Sequence, residues 1–411
     1  MYAASHHQPV GEGHSQVAAH SEAPRDPITD TYGSDEHALR CLGAWLLVLL
    51  MSLLQLATAG CGGSDSGSAA SMVVRETKFV SDISGQAAVM DPDLVNAWGI
   101  AASPTGPFWI ADNGQGVSTL YDGSGHPFPA SQPLVVTVPP PDGSPDGTTA
   151  APTGVVFNGT NDFVITQGTQ SGPSLFIFAT EDGTLSGWSP NVNATAAVLT
   201  ADNSGSGAVY KGLALGNSSA AGNLLYATNF HAGRIDVFDR NFAPANLAGA
   251  FADPNIPAGF APFGIANIQG GLYVTYAKQD EDQHDDVKGP GNGFVDVFDA
   301  DGNLVRRFAS QGPLNSPWGV VLAPATFGSL GNTILVGNFG DGHISAFDRA
   351  SGSFLGQLSD GQNLVEIDGL WGLSFGNGAA AGDVNTLFFT AGPNDEQDGL
   401  FGALQPVMGG M

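Results

Sequence analysis

The stretch NAWGIAAS at residues 96–103 comes back five times in altered form: PTGVVFNG at 152–159, YKGLALGN at 210–217, APFGIANI at 261–268, SPWGVVLA at 316–323 and GLWGLSFG at 369–376. Each holds a glycine followed by a short apolar run, and Gly99, Gly154, Gly212, Gly264, Gly319 and Gly372 are spaced by 55, 58, 52, 55 and 53 residues. A period of that length marks a repeat architecture. After each glycine run come a second apolar run, a turn, and a run rich in Phe and Asp, as in FWIADNGQGVSTLYD (108–122), LLYATNFHAGRIDVFD (224–239) and ILVGNFGDGHISAFD (334–348). Short β-branched and aromatic runs punctuated by Gly, Asn, Asp and Pro read as strands, and the repeat region lacks helical periodicity.

Units of about fifty residues and roughly four strands predict the blades of a β-propeller, which limits open sheet edges by radial repetition. Six units give an all-β, six-bladed β-propeller over residues 73–407, with the glycine strand innermost, where a residue without Cβ allows close approach. The sixth unit holds about three strands. The unassigned strand VVRETKFV at 73–80 is therefore expected to supply the fourth and close the ring.

The units resemble NHL-type repeats, as Pro262 to Ile265 and Ile235 to Asp239 illustrate. Longer phrases, among them TKFVSDISG, DPDLVNAWGI, FATEDGTLSGW, LNSPWGVVLAPATFG and FTAGPNDEQDGLFG, resemble an exported bacterial β-propeller family over residues 77–404. The resemblance implies the architecture and brings no catalytic residues with it. Some members of that family end in a PEP-CTERM sorting tail. This chain ends QPVMGGM, so a lipid near the amino terminus is the expected anchor.

That expectation rests on residues 39–71, LRCLGAWLLVLLMSLLQLATAGCGGSDSGSAAS. One Arg, an apolar run and then small residues form the layout of a signal peptide, here 39–60, whose apolar part is short for a spanning helix. Thr58-Ala59-Gly60-Cys61 resembles a bacterial lipobox, which implies lipidation of Cys61 followed by a flexible Gly/Ser tether over 61–72. Gly62 is not the Asp that signals inner-membrane retention in the lipoprotein family, so the same resemblance implies the outer membrane, cell surface or periplasm. Residues 1–38 are polar and without periodicity, and read as a disordered extension or as sequence ahead of the true start.

The charge narrows the partners. With 12 Lys+Arg against 39 Asp+Glu, the chain carries a formal −27, which excludes nucleic acid as a partner because phosphate binding needs clustered basic residues. Cations, neutral glycans or basic protein surfaces suit this field, and a monomer is expected.

In such a repeat the turns between second and third strands share one face with the links between units. That face offers Asp112, Asn113, Gln167, Asn229, His231, Tyr276, Asn338, Asp341, Asn394, Asp395 and Glu396, an oxygen-rich rim. Calcium takes six to eight oxygen ligands, so Asp112, Asn113, Asn229, Asn338, Asp341, Asn394 and Asp395 are the candidate metal residues. Tight turns favour the same residue types for reasons of backbone conformation alone. An acidic insertion, KQDEDQHDDVKGPGNG at 278–293, brings Asp280, Glu281, Asp282, Asp285 and Asp286 as a candidate lid, without EF-hand spacing. GLSFG at 372–376 has the G-x-S-x-G form, but it falls on an inner strand rather than on a strand-to-helix elbow. His126, His231, His284 and His343 fall in different units, and no pair has zinc-ligand spacing. The sequence thus favours a binding or protein-interaction module working over the central channel. The alternative is a divalent-cation-dependent hydrolase of lactonase type with an axial metal.

Overall fold

The computed structural model describes residues 72–407; the expected signal peptide, Cys61 and the tether after it lie outside the described residues. Strands dominate, and the only helical pieces among the described residues are three- or four-residue turns. The fold is all-β and propeller-like, built from successive antiparallel units. Unit one runs Ala97–Ala102, Phe108–Asp112, Val117–Tyr121 and Val135–Thr137, and unit two Pro152–Phe157, Phe176–Thr180, Thr184–Trp188 and Val198–Asp202. Unit three has Tyr210–Ser218, Gly222–Asn229 and Arg234–Phe238; unit four has Phe260–Ile268, Gly271–Lys278, Gly293–Phe298 and Leu304–Ser310. Unit five has Pro317–Leu322, Ile334–Asn338, Ile344–Phe347 and Phe354–Ser359, and unit six Leu370–Phe375, Leu387–Ala391 and Leu400–Pro406.

The amino-terminal strand Met72–Ser81 pairs antiparallel with Leu400–Pro406, so the missing outer strand of unit six comes from the start of the described chain. Its first two residues also pair in parallel with Leu358 and Ser359 of unit five, which joins units five and six in one sheet. Val74 and Val80 are buried in this strand, so its hold is apolar as well as hydrogen-bonded.

Two units depart from the expected four strands. In unit two, Val164–Gln167 and Gln170–Pro173 form a hairpin of their own, and the second strand is Phe176–Thr180. The turn facing the rim is therefore Glu181–Gly183, while Gln167 sits in the extra hairpin and accepts from Asn193 Nδ2 at 3.0 Å. Unit three lacks a fourth strand; Phe251, in the irregular chain that replaces it, packs on Tyr226 and Phe298.

Each inner strand packs on the next, from unit one through unit six and back to unit one. Among the described residues, six buried apolar clusters lie between neighbouring units, as where Trp109 of unit one stacks on Phe176 of unit two at 4.1 Å. The repeat glycines make this packing possible. A Cβ on Gly319 would lie 2.7 Å from the Trp371 carbonyl oxygen, and one on Gly372 would lie 2.7 Å from that of Trp98. Both distances are too short for a real Cβ, so the neighbouring backbone takes the space a side chain would need.

The same spot carries a β-bulge. Pairing with the second strand skips the glycine and the residue before it, between Ala97 and Ile100, Tyr210 and Leu213, Pro262 and Ile265, Pro317 and Val320, and Leu370 and Leu373. In units three and six a threonine of the second strand fills the gap. Gly212 N–H donates to Thr228 Oγ1, which donates to Phe263 O at 2.7 Å; Gly372 N–H donates to Thr390 Oγ1, which donates to Trp98 O. A bulge re-aims the side chain it carries. Here the re-aimed residues stand just before each glycine: Trp98, Thr153, Lys211, Phe263, Trp318 and Trp371.

Candidate functional site at the axis

Four of those six residues make an aromatic layer at the end of the axis where the inner strands begin. Trp98 stacks on Trp371 at 3.6 Å, and Trp318 meets both edge-on at 6.0 and 5.8 Å. Phe263 lies 5.8 Å from Trp371, and Phe339, from the turn of unit five, stacks on Trp371 at 3.9 Å. Trp98 and Trp371 are both 1% exposed, so the layer closes this end. The other end is a cavity of about 360 Å³. Its wall includes the residue after each glycine: Ile100, Val155, Leu213, Ile265, Val320 and Leu373, all aliphatic.

Lys211 is the single cation among the six re-aimed residues, and its side chain is 2% exposed. Its ammonium lies over the Trp98 ring at 5.1 Å and donates to Glu181 Oε1 and to Asp285 Oδ1 (3.0 Å). Burial alone would lower its pKa, but the two carboxylates outweigh burial and hold it above its ordinary value. His284 Nδ1 lies 3.0 Å from Asp285 Oδ1. That hydrogen bond raises the His284 pKa and, with Lys211, holds the Asp285 carboxyl below the usual range.

The network continues around the mouth. Asn113 Nδ2 donates to Glu181 Oε2 at 2.9 Å, and Asn96 Nδ2 donates to Asn113 Oδ1 at 3.2 Å and to Glu396 Oε2 at 2.8 Å. Trp371 Nε1 donates to Asn96 Oδ1 at 3.1 Å, tying the polar ring to the aromatic layer below it. Glu396 ends a turn in which Asn394, Asp395 and Glu396 all have positive φ, at 58°, 51° and 65°. Non-glycine residues rarely adopt that region, so the turn is a costly way to bring a carboxylate inward. Burial then raises the Glu396 pKa, with the Asn96 hydrogen bond pulling the other way.

The rim residues expected from sequence take different places. Asn113 joins the mouth network. Asp112 is fully buried, accepts from Thr119 N–H at 2.8 Å, and has its carboxyl pushed well up by that burial. Asn229 donates to Asp236 and accepts from Ala232 N–H, and Asn338 donates to Pro313 O and Asp341. Asp341 also accepts from His343 N–H and Asn315. The Asn394 N–H is held by Asp368, and Asp395 is exposed. In the insertion, Asp285 reaches the mouth, Asp280 accepts from His284 N–H, Asp286 is half-buried with a raised carboxyl, and Glu281 and Asp282 are exposed. The structure brings Glu181, His284 and Asp285 within 4.8 Å of one another through their ligand atoms.

Lys211 and Glu181 escaped the sequence reading. Lys211 looked like part of an apolar strand, and Glu181 was hidden by the extra hairpin that shifts the turn of unit two. Reading the residue before each repeat glycine as a set would have singled out Lys211.

Sequence relatives extend over most of this body. Two uncharacterized proteins of Acanthamoeba polyphaga mimivirus are each 36% identical to the chain. One match covers 334 residues, 79% of this chain and 78% of the relative; the other covers 336 residues, 79% and 84%. The chain belongs to the family of these two mimivirus proteins. No protein-family model matches it. Solved structures similar to it include β-propeller-like proteins. A streptogramin B lyase is 13% identical, with a TM-score of 0.41, covering 82% of this chain and 98% of that one. A glucose dehydrogenase is 11% identical, with a TM-score of 0.44, covering 78% and 98%.

Proposed function

We propose that the chain is a six-bladed β-propeller that works as a binding module, taking its ligand at the Lys211 mouth. One observation carries this reading. An unbroken chain of polar side chains, Glu396, Asn96, Asn113, Glu181, Lys211, Asp285 and His284, crosses the end of the axis and draws on five of the six units. Keeping a lysine buried between two carboxylates costs desolvation that well-packed apolar side chains would avoid. A purely structural axis could be lined with aliphatic residues, as its other end is.

The module is proposed to be exported and lipid-anchored through Cys61, at the outer membrane, cell surface or periplasm, as the lipobox-like sequence supports. Met72–Ser81 runs antiparallel to Leu400–Pro406, which starts at the mouth, so the described chain enters at the opposite end.

A second reading, a divalent-cation-dependent hydrolase of lactonase type, draws on the cluster of Glu181, His284 and Asp285. Its mixed nitrogen and oxygen donors suit a transition metal better than calcium, which prefers an all-oxygen shell. Any metal there must displace the Lys211 ammonium from the same carboxylates.

Melting of the full chain in titrations with calcium, manganese and neutral oligosaccharides separates the readings, because a ligand bound to the native state raises the melting temperature. The binding reading expects a saturable rise that Glu181→Gln abolishes. Metal-dependent lactone turnover lost in His284→Ala would favour the hydrolase. Absence of any ligand-dependent shift would contradict both.

A further inference from the structure

The aromatic layer ends in two ammonium groups that are held very differently. Phe339, Trp371 and Trp98 form a three-ring stack, with spacings of 3.9 and 3.6 Å. Lys211 lies against Trp98 and is buried and paired with two carboxylates. At the other end Lys288 Nζ sits 4.2 Å from the centre of the Phe339 ring. Trp371 already occupies one face of that ring, so Lys288 takes the other.

Lys288 belongs to the acidic insertion and is exposed, and among the described residues it forms no ion pair. In a chain with 39 carboxylate side chains, an ammonium that rests on a ring face instead marks that face as a cation position. The insertion holding it has a light grip. Residues 281–285 and 287–288 are exposed. Its polar ties to the body gather toward its two ends, with Gln279 N–H to Gly259 O at 2.8 Å, Gln279 Nε2 to Phe230 O at 2.6 Å, Gly289 N–H to Asn315 Oδ1 at 2.6 Å and Ser316 N–H to Asn292 O at 3.0 Å, while the Lys211 to Asp285 pair holds its middle. Segments with few buried apolar contacts open locally at low cost.

Resting on the binding reading above, we infer that the outer face of Phe339 receives the ammonium group of a basic ligand, a primary or quaternary amine, and that Lys288 is its displaceable internal occupant. The acidic mouth supplies the matching field, since Glu181, Glu396 and Asp341 remain when the insertion lifts. Both elements of amine recognition, a ring face and surrounding carboxylates, are then present on rigid strands and turns.

The test is a titration of the full chain with tetramethylammonium chloride, read by tryptophan fluorescence, against sodium chloride at equal ionic strength. An internal competitor weakens apparent affinity by the fraction of time it occupies the site. Lys288→Ala, a change on an exposed loop, should bind about tenfold more tightly than the natural chain if Lys288 fills the position about nine-tenths of the time. Phe339→Leu keeps an apolar side chain but removes the ring, and should lose the response while still melting cooperatively. If that variant fails to fold, the comparison of Lys288→Ala with the natural chain still decides. Equal affinities for the two, or no saturable response beyond that of sodium chloride, overturns the inference. Neutral oligosaccharide binding abolished by Glu181→Gln, without any amine response, would defeat this inference alone; failure of every ligand would defeat the binding reading with it.

Discussion

The two ends of the axis are made by the same repeat and turn out opposite. After each glycine the chain places Ile100, Val155, Leu213, Ile265, Val320 and Leu373, and these surround an open apolar cavity. Before each glycine it places Trp98, Thr153, Lys211, Phe263, Trp318 and Trp371, and these close the axis under a network of charges. The uniform set meets one packing requirement repeated around a ring. The varied set does not repeat, and variety at a position that the repeat itself points inward marks where the units stopped being equivalent. That difference locates the candidate site at the closed end.

Removing what both ends share should have the largest effect. Deleting residues 73–80 strips the strand that completes unit six, exposing a sheet edge and the residues packed under Val74 and Val80. Loss of the cooperative melting transition is expected, and an unchanged melting curve would refute closure by this strand. Lys211→Met should come next, at about 3–5 kcal/mol of stability, because it strands Glu181 beside the aromatic layer. Denaturant melts measure it, and the variant should also free the insertion. Leu213→Ala at the open end should cost about 2–4 kcal/mol through lost packing, and should leave the insertion's proteolytic susceptibility unchanged. If it loosens the insertion as Lys211→Met does, the two ends are not separable.

The smallest effect is one of pH and should appear at the closed end alone. Asp285 has a depressed pKa, so its contribution holds above about pH 4 and is lost as pH falls through the lower folded value. His284 has a raised pKa, so its contribution is complete below about pH 6.5 and is lost as pH rises through the higher folded value. The insertion should therefore be best protected from proteolysis between about pH 4 and 6.5 and loosen above that window. The lining of the open cavity holds no titratable side chain and should show no such dependence. Both groups are largely exposed, so the global melting temperature should move little.

The repeat was legible because its causes are local and recur: a glycine where backbones crowd, aliphatic residues where neighbouring units pack, polar turns where the chain reverses. The closing strand was legible by elimination, as a strand without a unit beside a unit short of one strand. The bulge was not, because it is a slip in pairing that composition does not record, and with it went the inward aim of Lys211. The hairpin in unit two was not legible either, since a hairpin of the same residue types looks like the second and third strands of a unit. The insertion read as an acidic loop, and sequence could not say that Asp285 would find a buried ammonium 74 positions away.

Hydrogen–deuterium exchange of the full chain, with and without saturating tetramethylammonium, tests most directly that the closed end is the binding end. Altered protection is expected in peptides covering 278–293 and in the turns at 338–343 and 392–399, with the walls of the open cavity unchanged. Altered protection confined to the cavity walls, or none anywhere, would contradict that assignment.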